Sequence, residues 1–167
     1  MNKHEGKPAT LRKKVIIIFL LALLVLVGIE VGMVWLLGSW GGFNLGWWHQ
    51  VFELLMTMSG IVLVGWSISI QYTLGKGTPF TKVATQQLIT TGPYAYTRNP
   101  MTLGAFLLYL GIAVGMGSIP VIVLIPVIFT ALLTFIYMHE TRELTERFGE
   151  EYLEYQKRTP FLIPRCR

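Results

Sequence analysis

Two stretches of the chain hold polar residues whose types and spacing can do chemistry: Gly92 to Gly104 and His139 to Pro164. The first reads Gly92-Pro93-Tyr94-Ala95-Tyr96-Thr97-Arg98-Asn99-Pro100. Its Arg98 presents a planar fork of donors that can hold a carboxylate through paired hydrogen bonds. In the second, Glu140 and Glu143 stand one helical turn apart, with Arg142, Glu146 and Arg147 close by. Glu140 lies nearest the preceding apolar run and is the acid placed to meet a cationic ligand group. His139 beside it is the histidine able to take a proton if the chemistry needs a base. A plainer account exists for most of these residues. Gly-Pro is a turn, Asn99 a helix N-cap with Pro100 in the first turn, and the later charges form helix-surface ion pairs worth about 0.2–0.5 kcal/mol each.

The elements that must position these groups are written in the composition. Of 167 residues, 53% are hydrophobic and 14% charged, outside the norm for a water-soluble domain. An apolar span needs about 20 residues to cross a hydrocarbon layer roughly 30 Å thick. Four segments are expected to do so: Val15 to Leu37, Val51 to about Tyr72, Met101 to about Met116 and Pro120 to about Met138. The last two must form a helical hairpin about Gly117, Ser118 and Ile119. The Val15 run is too long for a secretion signal and has no small-residue cleavage site early in it. The fold class is therefore all-α and polytopic, with a C-terminal amphipathic helix on which Leu144, Phe148, Tyr152 and Tyr155 share a face. Gly149 is a point where that helix could break.

All 14 Lys and Arg residues fall in the N-terminal tail, between Gly75 and Asn99, or after Met138. The stretch Gly38 to Gln50 has none, but carries Trp40, Trp47 and Trp48, the mark of an interfacial aromatic belt. By the positive-inside rule both termini and the Gly75–Asn99 loop are expected in the cytosol, in a multi-pass protein of the cell membrane. The net charge of +5 comes from residues beside apolar runs rather than from a basic arm, so no nucleic-acid partner is expected. The single cysteine, Cys166, forms no intramolecular disulfide and no cysteine-based metal cluster, and it does not sit in a prenylation box.

The blocks Gly75-Lys76-Gly77-Thr78-Pro79, Gly92 through Met101 with Gly104, Glu140, and Phe148-Gly149-Glu150-Glu151-Tyr152-Leu153-Glu154-Tyr155-Gln156-Lys157-Arg158-Thr159-Pro160 together resemble the isoprenylcysteine carboxyl methyltransferase family. These integral membrane enzymes are related to the phospholipid methyltransferases. The resemblance covers roughly residues 75 to 164, and implies a division into a two-helix anchor, 1–74, and a cofactor-binding and catalytic part, 75–167. It implies S-adenosyl-L-methionine as cofactor, entering from the cytosol, and a lipophilic acceptor from the bilayer, with a prenylcysteine-like carboxylate the first expectation. Cofactor contacts carry over to Leu88, Gly92, Pro93, Tyr94 and Tyr96, to Arg98, Asn99, Pro100 and Gly104, and to His139 and Glu140. Arg98 and Arg158 carry over as the arginines that orient the acceptor. Asn99 stands where the family usually has His, Thr102 where a Tyr is common, and Thr141 interrupts the usual Glu-Glu pair. Attack on a sulfonium methyl needs alignment and desolvation more than a base when the acceptor is a carboxylate, already ionised at neutral pH. An amine or thiol acceptor would need a proton removed.

Two other readings compete. Four helices with an acid inside a span, Glu30, could serve a small cation/proton exporter. A non-catalytic membrane scaffold could share the fold. An exporter does not need the long polar Gly75–Asn99 loop or the charged C-terminal stretch, and a scaffold would be exposed by failure to bind cofactor.

Overall fold

The structure, a computed structural model, describes residues 24, 28–29, 31–32, 35–36, 43, 46–74 and 87–164, the side chains of His139 and Glu140 excepted. The chain divides into two compact units, Met1–Gly38 and Ser39–Arg167. In the first, every described residue is helical; the expected Val15–Leu37 span lies mostly outside the described residues, as does Glu30.

In the second unit the described residues form helices and no strand: α1 (Trp47–Thr73), a 3-10 turn (Gly92–Ala95), α2 (Pro100–Met116), α3 (Ile119–Phe148) and α4 (Glu150–Arg158). Helix α1 is apolar on nearly every side, with Trp48, Phe52, Leu55, Val62 and Trp66 all exposed. Such a surface suits a lipid solvent. Its buried residues are Gly60, Val64 and Ser67, a stripe of small side chains one turn apart that faces α2. The two helices run antiparallel at backbone contact. A Cβ on Gly111 would lie 2.8 Å from the Thr57 amide nitrogen, and one on Gly60 would lie 2.6 Å from the Gly104 carbonyl oxygen. At the far end a Cβ on Gly115 would meet the Glu53 carboxyl carbon at 2.5 Å. Close approach through small residues replaces the hydrophobic drive that is lost once both helices are solvated by lipid.

Asn99 occupies the N-cap of α2 and Pro100 its first turn, and Gly117 ends the helix at φ 64. That left-handed turn, available to Gly at no steric cost, reverses the chain into α3 within two residues. The expected hairpin is present. Val121, Ile125 and Phe129 form the buried face of α3, with the Phe129 ring 5.3 Å from Phe106 and 6.0 Å from Tyr109. No described residue of α3 beyond Phe129 is buried.

Two expectations are revised. Helix α3 does not end near Met138 but runs 30 residues to Phe148, because the polar stretch that follows Met138 is itself rich in helix-forming Glu, Arg and Leu. The amphipathic stretch from Leu144 to Tyr155 is accordingly split between the end of α3 and α4. Gly149, at φ 53, sits at the break, and Glu150 and Glu151 open α4 while Lys157 and Arg158 close it, as the helix dipole favours. As to spans, α1 and α3 are long and apolar enough to cross a membrane, and α2 is an apolar helix of 17 residues.

Candidate functional site

Between the C-terminal end of α1 and the polar end of α3 lies a cleft lined by Gln71 of α1, Leu88, Ile89, Tyr94, Arg98 and Asn99, Thr141 and Leu144 of α3, Tyr152 and Tyr155 of α4, and Phe161. Gly92 gives the chain a reversal at φ 63. A side chain there would lie 3.1 Å from Ile70, so the 3-10 turn rests on the end of α1. Thr97, Asn99 and Pro100 are buried below it.

The C-terminal segment is tied onto this turn by directed hydrogen bonds. The Tyr155 hydroxyl donates to the Tyr94 carbonyl at 2.7 Å. The Arg98 amide donates to the Pro160 carbonyl at 2.9 Å. The Phe161 carbonyl accepts from the Thr97 hydroxyl at 3.2 Å and from Asn99 Nδ2 at 3.3 Å. Asn99 therefore caps α2 by position alone: its side chain makes no bond to the helix end and holds the C-terminal segment instead.

Arg98 is the centre of the arrangement. Its Nη1 donates to the Tyr152 hydroxyl at 3.1 Å, and its guanidinium carbon lies 5.4 Å from the Phe161 ring centroid, within cation–π range. Its Nε is buried with no hydrogen-bond partner. Gln71 Oε1 and Thr141 Oγ1 are in the same condition, and all three residues line the cleft. Buried polar groups without partners cost about 1–3 kcal/mol each, and three residues of this cleft wall carry one. The cleft volume is about 70 Å³, enough for a charged group and its substituents but below the roughly 300 Å³ that encloses a whole cofactor.

Of the residues read from sequence, Leu88, Tyr94, Arg98 and Asn99 line the cleft. Gly92 and Pro93 shape the turn above it. Pro100 and Gly104 lie below, in the α2 packing face. Tyr96 is exposed and is not among the lining residues. His139 and Glu140 sit in the backbone of α3, with side chains outside the described set. Arg158 stands apart: it is on the outer face of α4, paired with Glu154 at 2.6 Å, both side chains about two-thirds exposed. Gln71, Ile89, Thr141, Leu144, Tyr152, Tyr155 and Phe161 are lining residues that the sequence reading did not assign to a site. Gln71 had a signal, an amide at the C-terminal end of a largely apolar helix. Phe161 had none, since only tertiary contact distinguishes it from any apolar residue near a terminus. Among the described residues there is no cluster of His, Cys, Asp or Glu that could hold a metal ion.

Comparison with curated proteins finds no match. Residues 48–151, which run from the start of α1 into α4 and include most of the cleft, match the family model described as phospholipid methyltransferase. With two helices fit to span a bilayer, the chain is a membrane protein and belongs to the phospholipid methyltransferase family.

Proposed function

We propose that the protein is an integral membrane S-adenosylmethionine-dependent methyltransferase whose acceptor is lipophilic and carries an anionic group held by Arg98. A carboxylate like that of prenylcysteine is the first choice. The observation that carries this reading is Arg98 itself. Among the described residues it is the one charged residue lining the cleft, it is fixed by Tyr152 and Phe161, and a buried donor of its own remains unmet.

When bound, S-adenosylmethionine supplies an electrophilic methyl group on a sulfonium centre. The residues present fit its charged end. The rings of Tyr94, Tyr152, Tyr155 and Phe161 offer the aromatic surface that attracts such a cation. Gln71 Oε1 and Thr141 Oγ1 offer unmet polar atoms for its amino and carboxyl groups, and Glu140, by resemblance, adds an acid. The chain's own task is alignment and exclusion of water: Arg98 holds the acceptor anion in one orientation, and the segment tied down by Tyr155, Thr97 and Asn99 covers the cleft. A carboxylate acceptor needs no base.

The family description supports a second reading, in which the acceptor is the amine of a phospholipid. Arg98 would then hold the phosphodiester, and a proton would have to leave the amine. Two measurements on purified protein test both. Binding of S-adenosylmethionine and S-adenosylhomocysteine is expected, and its absence would defeat the methyltransferase reading. Radiolabelled methyl transfer to a farnesylcysteine carboxylate, set beside phosphatidylethanolamine, decides the acceptor.

A further inference from the structure

We infer that Phe161 is a positioning residue: its aromatic face, more than its bulk, sets the orientation in which Arg98 meets the acceptor's anionic group. This rests on the proposed reading of Arg98 as the anion holder. Phe161 reaches the cleft from the segment that follows α4, and its backbone is tied to the residues around Arg98. The Arg98 amide donates to the Pro160 carbonyl at 2.9 Å. The Phe161 carbonyl accepts from Thr97 Oγ1 at 3.2 Å and from Asn99 Nδ2 at 3.3 Å. The two neighbours of Arg98 thus hold the very residue whose ring meets the Arg98 side chain. From the other direction Tyr137 of α3 packs on the ring, centroids 5.1 Å apart and planes at 87°. The guanidinium carbon lies over the ring, 5.4 Å from its centroid. Both partners are half-buried, where a cation–π contact is stronger than at an exposed site.

An arginine side chain has several rotatable bonds, and holding it in one orientation costs rotamer freedom. The Tyr152 hydroxyl, 3.1 Å from Nη1, fixes one point of the guanidinium and leaves it able to swing about that bond. The ring limits the swing, because the attraction comes from its electron-rich face and fails at its electropositive edge. An aliphatic side chain fills the space without that preference. Phe161 therefore acts on the acceptor through Arg98, a role separate from the ring's share in the aromatic surface offered to the sulfonium.

The test uses the full chain in a maltoside detergent, which has no anionic group. Phe161→Leu, Phe161→Tyr and a protein with pentafluorophenylalanine at position 161 are compared with wild type. Fluorination keeps the size and apolar character of the ring and removes its electron-rich face. Probes are two anionic amphiphiles, N-oleoylglycine and oleoyl lysophosphatidylglycerol, with neutral monoolein as reference. Wild type is expected to bind at least one anion about tenfold more tightly than monoolein. The leucine and fluorinated proteins should lose about threefold or more of that preference, and Phe161→Tyr should keep it. In an Arg98→Gln background fluorination should change nothing. A fluorinated protein with the full wild-type preference overturns the inference. So does one that keeps the preference and loses affinity for S-adenosylmethionine but not for the uncharged thioether S-adenosylhomocysteine, since the ring would then serve the sulfonium alone. A wild type with no preference for either anion defeats the anion-holding reading of Arg98 and this role with it. Binding is read without turnover, so a protein that shows the expected pattern but transfers no methyl group would defeat the proposed activity and leave Phe161 in its role.

Discussion

The hydroxyl of Tyr155 donates to the carbonyl of Tyr94 at 2.7 Å, across 61 residues of chain, and both residues are buried at 8% exposure. The bond joins the C-terminal helix to the turn that carries Arg98. Tyr155→Phe leaves a buried carbonyl short of a partner and is expected to cost about 1–3 kcal/mol in the docking of α4. Limited proteolysis after Gly149 reads that loss directly. Cleavage at the wild-type rate would show that other contacts hold the segment.

The α1–α2 contact makes a prediction with its own control. Gly60→Ala places a methyl group 2.6 Å from both the Gly104 carbonyl oxygen and the Leu108 amide nitrogen, so the helices must separate, at a cost of about 1–3 kcal/mol. Gly65, in the same helix, has nothing within 4 Å of its would-be Cβ, and Gly65→Ala should hold or raise stability through helix propensity, by up to about 1 kcal/mol. Thermal unfolding in detergent separates the two. Equal midpoints would mean that the close approach is not maintained.

The resemblance noted in the sequence implies an acceptor role for both Arg98 and Arg158, and their surroundings differ. Arg98 is half-buried in the cleft wall. Arg158 is exposed and paired with its own helix neighbour Glu154, an arrangement worth about 0.3–0.5 kcal/mol. Methyl transfer is expected to fall at least tenfold more in Arg98→Ala than in Arg158→Ala, and Arg98→Lys should recover little, because an ammonium lacks the fork that meets both Tyr152 and an anion. Equal losses at the two positions would return Arg158 to the acceptor.

Orientation is testable at described positions. In a Cys166→Ser background, a cysteine at Glu150 should react with a membrane-impermeant maleimide only after cells are opened, and one at Gln50 should react from outside. The reason is the distribution of Lys and Arg, which favours a cytosolic polar end. The reverse pattern would place the cleft on the outer side, away from a cytosolic cofactor.

The sequence by itself determined the apolar helices of the second unit and where its polar residues group. Apolar runs can only become helices in lipid, because no water is there to satisfy their backbone groups, and α1 and the two apolar helices flanking Gly117 follow from that. The grouping of polar residues at one end of those helices singled out Gly92–Asn99 and the C-terminal stretch, which the structure brings together. What only the tertiary structure decided was which of those polar side chains meet. Arg98 and Arg158 are the same residue type at matching motif positions, but one is packed under Phe161 and the other faces out, since α4 has a buried side at Tyr152 and Tyr155 and a solvated side at Glu154 and Arg158. Asn99 reads locally as a cap and is spent on Phe161. Gln71 and Phe161 reach the cleft from segments 90 residues apart. Periodicity assigns a residue to a face of its own helix; what that face meets is settled by long-range packing, and here by glycines that bring two backbones into contact.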